Sequence, residues 1–145
     1  MRSERWQRLL VGAWLGALLA IALIATPAPF ATLASADAGR VVARILAQEA
    51  YLSLALGLVM LVLTRQSARR AAESGAGSQF SAEMVLAVLT LLCTILGYFG
   101  VQPMMAEARA GRGAFSFGQL HVASTGFYLI KTALVAALAW RLSPR

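Results

Sequence analysis

One stretch of the chain places several chemically active side chains inside an apolar run. Residues 115–131 read FSFGQLHVASTGFYLIK and contain the one histidine, His121. Imidazole is the commonest metal ligand in proteins and can exchange a proton near neutral pH. At about 100° per residue, one sector of a helix collects five polar side chains, which are His121, Ser124, Thr125, Tyr128 and Thr132. In a membrane such a stripe is expected to face other helices rather than lipid.

A second polar set lies in an earlier apolar run. Four residues spaced by four, four and three share one helix face, namely Arg40, Arg44, Gln48 and Tyr51. Glu49 lies on roughly the opposite face, about 12 Å along a helix that starts at Val41. A carboxylate at that depth needs a partner, a proton or a water-filled cavity. We therefore expect a polar cluster in which Gln48, Glu49 and Tyr51 meet the His121 stripe.

Lys131 lies at one flank of that stripe, near the middle of its apolar run. Helical side chains lean towards the N-terminus of their own helix. This lean directs the Lys131 side chain away from the cytoplasmic surface of the membrane. We therefore also expect the Lys131 ammonium to be buried near a carboxylate.

Metal and cofactor chemistry are the sharper alternatives for this region. His121 with Met104 and Met105 would offer imidazole and thioether ligands that suit Cu(I). Haem with two histidine ligands cannot form within a chain that has one histidine, but a His–Met pair or a dimer could supply two ligands. No spacing supports a histidine, nucleophile and carboxylate arrangement for hydrolysis. We expect a non-enzymatic protein with no cofactor or metal, and keep as the alternative a polar cavity around His121 that binds copper, haem or quinone.

Composition identifies the class of protein that must position these residues. Of 145 residues, 59% are hydrophobic and 13% are charged, whereas a soluble domain has about 45–50% and about 25%. Four apolar runs are long enough to cross a bilayer, which takes about 20 residues: 9–26, 41–64, 82–101 and 117–140. The sequence predicts an all-α integral membrane protein, one domain over 1–145 with a bundle of four transmembrane helices.

The arginines predict how the bundle is oriented. Eight flank one side of the four runs and four flank the other, so the richer side, with both termini, should be cytoplasmic. A net charge of +7 distributed in this way argues against nucleic-acid binding. A cleaved secretory signal ending near Ala34–Ala38 is the rival interpretation, but the first apolar run is long for a signal, and we expect it to be retained as a span. Cys93, the single cysteine, excludes a disulfide within the chain.

Small residues in the first run predict a packing surface. Gly12 and Gly16 lie four apart, and such spacing lets two helix backbones approach closely where lipid supplies no hydrophobic drive. We expect both glycines to lie where the first helix meets another helix.

Several short motifs resemble one known family. They are Trp14-Leu-Gly, Ala28-Pro-Phe, Ala38-Gly-Arg-Val-Val, the segment from Tyr98 to Pro103, and Phe117-Gly-Gln-Leu-His-Val-Ala-Ser. In this order they resemble the transmembrane protein 205-like family, catalogued as domain of unknown function 4149. The resemblance implies a four-helix membrane protein with no established catalytic activity.

We interpret the chain as a bacterial protein of the inner membrane. It is expected to be an accessory or interaction subunit or a stress- or export-related component. Its partners would be the lipid bilayer, and other membrane proteins or further copies of itself.

Overall fold

Across residues 2–144 the fold consists of six α-helices and two short π-helical segments. The computed structural model describes residues 2–144, and Arg145, one of the counted arginines, lies outside them. The α-helices are α1 Arg2–Ala20, α2 Pro27–Thr32, α3 Ser35–Glu73, α4 Ala82–Thr94, α5 Val101–Arg109 and α6 Phe117–Leu142. The π-helical segments Ile21–Ala25 and Ile95–Gly100 join α1 to α2 and α4 to α5. The described residues contain no strand, so the all-α prediction is confirmed.

Within the described residues, four helical stretches are long and apolar enough to cross a membrane. They are Glu4–Thr32, Ser35–Glu73, Ala82–Arg109 and Phe117–Leu142. The prediction of a multi-pass membrane protein with four spanning helices is confirmed. The helices run further than the apolar runs: α3 begins at Ser35 rather than near Val41, and the third stretch ends at Arg109 rather than near Val101.

Local sequence signals explain where two of these helices begin. The Ser81 hydroxyl accepts a hydrogen bond from the Met84 N–H at 3.2 Å, which satisfies one of the unpaired donors in the first turn of α4. Ser116 and Gln119 form a reciprocal capping box at the start of α6, at 3.2 and 2.9 Å. Capping by Ser81 and Ser116 therefore sets the points at which the two polar connections end and α4 and α6 begin.

The four long stretches pack as a ring. α1 contacts α3 and α6, and α4 contacts the same two helices, so α3 and α6 lie on one diagonal. The start of α1, the end of α3, the start of α4 and the end of α6 meet around one small pocket, so successive long helices run antiparallel. We call the end that carries the start of α1, residues 74–81 and the end of α6 the terminal end, and the opposite end the distal end; the terminal and distal halves are named accordingly.

Large side chains fill the middle and the terminal half of the ring. The buried apolar cluster there consists of Val11, Trp14, Leu18, Met60, Val135 and Leu138. Nearer the terminal end, the buried Gln7 donates from Nε2 to the Ser67 hydroxyl at 3.0 Å. These contacts make α1 an integral part of the core.

The face of α1 that packs against the core is not the face that carries Gly12 and Gly16. Gly12 and Gly16 are exposed at the bundle surface, and a Cβ added to either would meet no other atom within 4 Å. Inside the bundle, the prediction that these two glycines pack against another helix does not hold. The contacting face of α1 instead carries Gln7, Val11, Trp14 and Leu18.

Close helix approach depends on two other glycines. A Cβ on Gly57 of α3 would lie 2.6 Å from Leu91 Cδ2, and one on Gly97 would lie 2.5 Å from Phe127 Cβ. Gly97 lies in the second π-helical segment and brings that segment against α6. Small residues therefore do allow close packing, but between α3 and α4 and between the π-helical segment and α6.

Candidate functional site

A buried ion pair crosses the centre of the ring. Lys131 of α6 donates from Nζ to both carboxylate oxygens of Glu49 in α3, at 2.6 and 2.8 Å. The two side chains are 5% and 4% exposed. Taking two charges out of water is expensive, and only close geometry with further hydrogen bonds offsets the penalty. This pair joins the two helices that lie on the diagonal.

Two aromatic residues complete the surroundings of the pair. The Trp14 indole N–H donates to the Ser53 hydroxyl at 3.0 Å, and that hydroxyl in turn donates to Glu49 Oε1. The Lys131 ammonium lies over the Tyr128 ring, 4.7 Å from its centroid. The Tyr128 hydroxyl donates to the Leu18 carbonyl at 2.9 Å. The result is a connected polar network among α1, α3 and α6.

Depth explains why Glu49 pairs with Lys131 rather than lying beside His121. Glu49 is fourteen residues from Ser35, the first residue of α3, and Lys131 is fourteen residues from Phe117, the first of α6. Both lie about 21 Å along helices that run in the same direction. His121 is only four residues into α6 and lies near its distal end. The sequence-based estimate of 12 Å for Glu49 was short because it started α3 at Val41.

Beyond this pair, the distal half encloses an open cavity of about 980 Å³. We call it the distal cavity. All four long helical stretches contribute to its walls, and Glu49 and Lys131 form its deepest charged part. Several wall positions carry small side chains, among them Ala36, Gly39 and Ala43 of α3. Its volume lies at the upper end of the roughly 300–1,000 Å³ that small-molecule sites occupy.

Three side chains in contact with one another lie at the mouth of the distal cavity. The Arg109 guanidinium lies over the Phe117 ring, 4.7 Å from the centroid. The His121 ring stacks on the same phenyl ring with centroids 6.0 Å apart and planes 19° apart. A guanidinium stacked on an aromatic face keeps its in-plane N–H groups for a carboxylate or phosphate. Arg109, which sequence reasoning had counted only as a topological charge, is thus a candidate binding residue.

The predicted polar stripe of α6 does line the cavity. His121, Ser124, Thr125 and Tyr128 all contribute to its wall. Ser124 donates to the Gly97 carbonyl at 3.4 Å. Ser124 and Tyr128 thus bond carbonyls in or beside the two π-helical segments, and such segments are frequent at functional sites.

The remaining predicted residues divide between wall and surface. Gln48 and Tyr51 are exposed at the bundle surface and do not line the cavity. Tyr51 instead packs edge-on against Phe99, with ring centroids 5.5 Å apart. Of the two candidate sulfur ligands, Met105 is buried in the wall, whereas Met104 is exposed. The cluster therefore contains Glu49 without Gln48 or Tyr51.

The cavity wall carries few charges. Its Asp, Glu, Lys and Arg residues are Glu49, Lys131 and Arg109. Because the first two neutralise each other, the wall has a formal charge of +1 before His121 is counted. Within residues 2–144, no three His, Cys, Asp or Glu side chains lie together as a metal site would require.

Comparisons with known proteins identify the family. Curated proteins and solved structures give no match. A family model matches residues 9–114, a range that includes Glu49 and both π-helical segments and ends before α6 with Lys131. Because this match covers more than half of the chain, the protein belongs to the family described as Domain of unknown function (DUF4149).

Proposed function

We propose that the protein is a small-molecule-binding membrane protein whose binding site is the distal cavity. One observation carries the proposal: an open cavity of about 980 Å³ lies between four spanning helices, with a buried ion pair at its deep end. Sites of this kind combine apolar walls with a few fixed polar groups that orient the ligand. Leu46, Phe127 and Leu129 supply apolar wall here, and Tyr98 and Gln102 supply polar groups.

The same geometry supports a role without catalysis. Glu49, the carboxylate of the cavity, is already held by Lys131 and Ser53, so it is not placed to act as a base. The Tyr128 hydroxyl is likewise committed to a backbone carbonyl. Binding, carriage or presentation of a ligand to another membrane protein requires none of these groups to react. We propose an accessory or carrier role of this type.

Filling the cavity tests the proposal. Ala43 lines the cavity and Ala55 is exposed on the same helix, so Ala43→Trp and Ala55→Trp add the same side chain in two environments. Each protein is purified in mild detergent, and co-purifying small molecules are identified by native mass spectrometry. We expect a stoichiometric adduct on the wild type and on Ala55→Trp that is lost from Ala43→Trp. An adduct retained by a folded Ala43→Trp protein would refute the proposal.

We further propose that the protein resides in a bacterial inner membrane with both termini in the cytoplasm. The support is the arginine asymmetry, because the positively charged connections of membrane proteins remain on the cytoplasmic side. Ser78 lies at the terminal end and Ala110 at the distal end. In a Cys93→Ser background, single cysteines at these positions should label from opposite sides of sealed vesicles. Labelling of both from one side would contradict this topology.

A further inference from the structure

We propose that the distal cavity takes an anionic amphiphile with one apolar chain, bound through its anionic group at Arg109. This inference rests on the proposed function and names the chemical class of the ligand. Its carboxylate or phosphate would bind at the stack of Arg109, Phe117 and His121, and its chain would extend between the helices towards the ion pair.

The charge of the wall selects the sign of the ligand. Glu49 is paired with Lys131 at 2.6 Å, so the negative charge of the wall is already neutralised. Arg109 is the remaining formal charge, and within the described residues no carboxylate lies within salt-bridge distance of it. A cavity lined by one sign of charge raises the local concentration of the opposite ion. An anion therefore fits this mouth better than a neutral or cationic group.

The neighbouring Arg112 shows how Arg109 differs. Arg112 donates to both oxygens of Glu107, at 2.7 and 3.0 Å, and it does not line the cavity. Arg109 instead lies over the Phe117 ring, with its Cζ 4.7 Å from the centroid. This contact uses the face of an aromatic ring and no hydrogen-bond acceptor, so the guanidinium N–H groups are left for the two oxygen atoms of an anion. The aromatic contact thus positions Arg109 before any ligand arrives, which reduces the entropy lost on binding.

The shape of the cavity favours a single chain. From Phe117 at the mouth to Lys131 at the deep end, α6 advances fourteen residues, or about 21 Å. Between these ends the wall includes Val42, Leu46 and Leu129. A volume within the range of small-molecule sites suits one chain better than a diacyl phospholipid.

Binding of three probes with the same chain tests the inference. The full chain is placed in phosphatidylcholine nanodiscs, and saturable binding of radiolabelled hexadecanoate, hexadecanol and hexadecyltrimethylammonium is measured against empty nanodiscs. We expect saturable binding of hexadecanoate, and binding of the alcohol and the cation at least tenfold weaker. Displacement of hexadecanoate by phosphatidylglycerol but not by dodecyl phosphate would overturn the single-chain assignment in favour of a diacyl lipid.

Matched variants distinguish the mouth from general surface charge. Arg109→Gln should weaken hexadecanoate binding about fivefold, the effect of losing roughly 1 kcal/mol at a partly solvated site. Arg112→Gln removes the same charge nearby and should stay within twofold of the wild type. Equal losses in both variants would overturn the assignment to Arg109.

The cavity-filling pair separates failure of this inference from failure of the proposed function. If the alcohol or the cation binds as tightly as hexadecanoate, and Ala43→Trp abolishes that binding, the cavity is a binding site but the anionic class is wrong. If all binding persists in a folded Ala43→Trp protein and is unchanged by Arg109→Gln, both proposals fail. Loss of hexadecanoate binding in Ala43→Trp and its retention in Ala55→Trp, with the Arg109 effect above, supports both.

Discussion

The terminal and distal halves of the bundle contain the same four helical stretches but pack in different ways. In the terminal half, α1 and α3 meet through large side chains such as Trp14 and Met60, which are fully buried. In the distal half the matching stretch of α3 presents Ala36, Gly39 and Ala43 to an open cavity. Both π-helical segments, Ile21–Ala25 and Ile95–Gly100, line this half. The terminal half is closely packed, and the distal half contains the cavity to which we assign the ligand.

The Glu49–Lys131 pair lies at the boundary between the two halves. On its terminal side the Trp14 and Ser53 bonds connect it to the packed core. On its distal side it faces the cavity. The pair joins α3 to α6 across the diagonal of the ring, and it also forms the deep end of the cavity. Substitutions should therefore have large effects at the boundary and smaller ones away from it.

The largest effect is expected from separating the two charges of the pair. Lys131→Met leaves the Glu49 carboxylate buried without its cation, which typically costs about 3–5 kcal/mol. In the double variant Glu49→Gln with Lys131→Met neither charge remains, and most of that loss should be recovered. Unfolding free energies of the single and double variants in mixed detergent micelles measure the coupling. A double variant as unstable as Lys131→Met would show that the pair acts through packing alone.

The next effect concerns the close approach at the second π-helical segment. A Cβ at Gly97 would lie 2.5 Å from Phe127 Cβ, an atom next to the backbone that cannot move aside easily. Gly97→Ala should therefore destabilise the protein by about 1–3 kcal/mol, as overpacking does. Gly12→Ala is the matched control, because a Cβ there meets nothing within 4 Å. Thermal unfolding in detergent should separate the two variants, and equal midpoints would contradict the model of tight packing at Gly97.

Sequence reasoning predicted the scaffold better than the site. Four apolar runs were enough for four spans, because lipid requires every backbone group to be bonded within a helix. The polar stripe of α6 followed from helical periodicity, and Lys131 was expected to lie near a carboxylate. The choice of Glu49 as that carboxylate depends on where α3 starts, and Ser35 precedes its apolar run by six residues. That start lies in residues 27–40, a stretch rich in Pro, Ala and Ser that separates the first two apolar runs.

The cavity itself could not be predicted from the sequence. Its wall includes residues of the π-helical segments ILGYFG and IALIA, and neither sequence has a composition that distinguishes it from an ordinary apolar helix. The role proposed for Arg109 depends on a contact with Phe117 across a connection of seven residues, 110–116. Gln48 and Tyr51 were included in the predicted cluster because, like Glu49, they were expected at a depth comparable to that of the His121 stripe. On the helix they point to the surface instead.

A moderate effect is expected from removing one hydroxyl of the network. Tyr128→Phe keeps the ring over Lys131 and deletes only the bond to the Leu18 carbonyl. Interhelical polar contacts in membranes average about 0.6 kcal/mol and reach about 1.7 kcal/mol. The substitution should therefore lower the unfolding free energy by an amount in that range. Thr125→Val provides a comparison on the same cavity wall, where the side chain is exposed. A loss larger than that of Lys131→Met would mean that this bond, rather than the ion pair, holds α6 in place.

The smallest effect is expected at the terminal end, where Arg141 donates to Glu83 at 2.8 Å. The two side chains are 49% and 22% exposed, and such solvated pairs contribute about 0.2–1 kcal/mol. Arg141→Gln should thus lower the unfolding free energy by less than about 1 kcal/mol, and the loss should shrink further at high salt because screening weakens exposed pairs. Arg69→Gln, at an exposed arginine of α3 in the same half, controls for the change in net charge. If Arg141→Gln were as damaging as Lys131→Met, the terminal half would depend on its surface charges, and its packed apolar core would not be the scaffold that distinguishes it from the distal half.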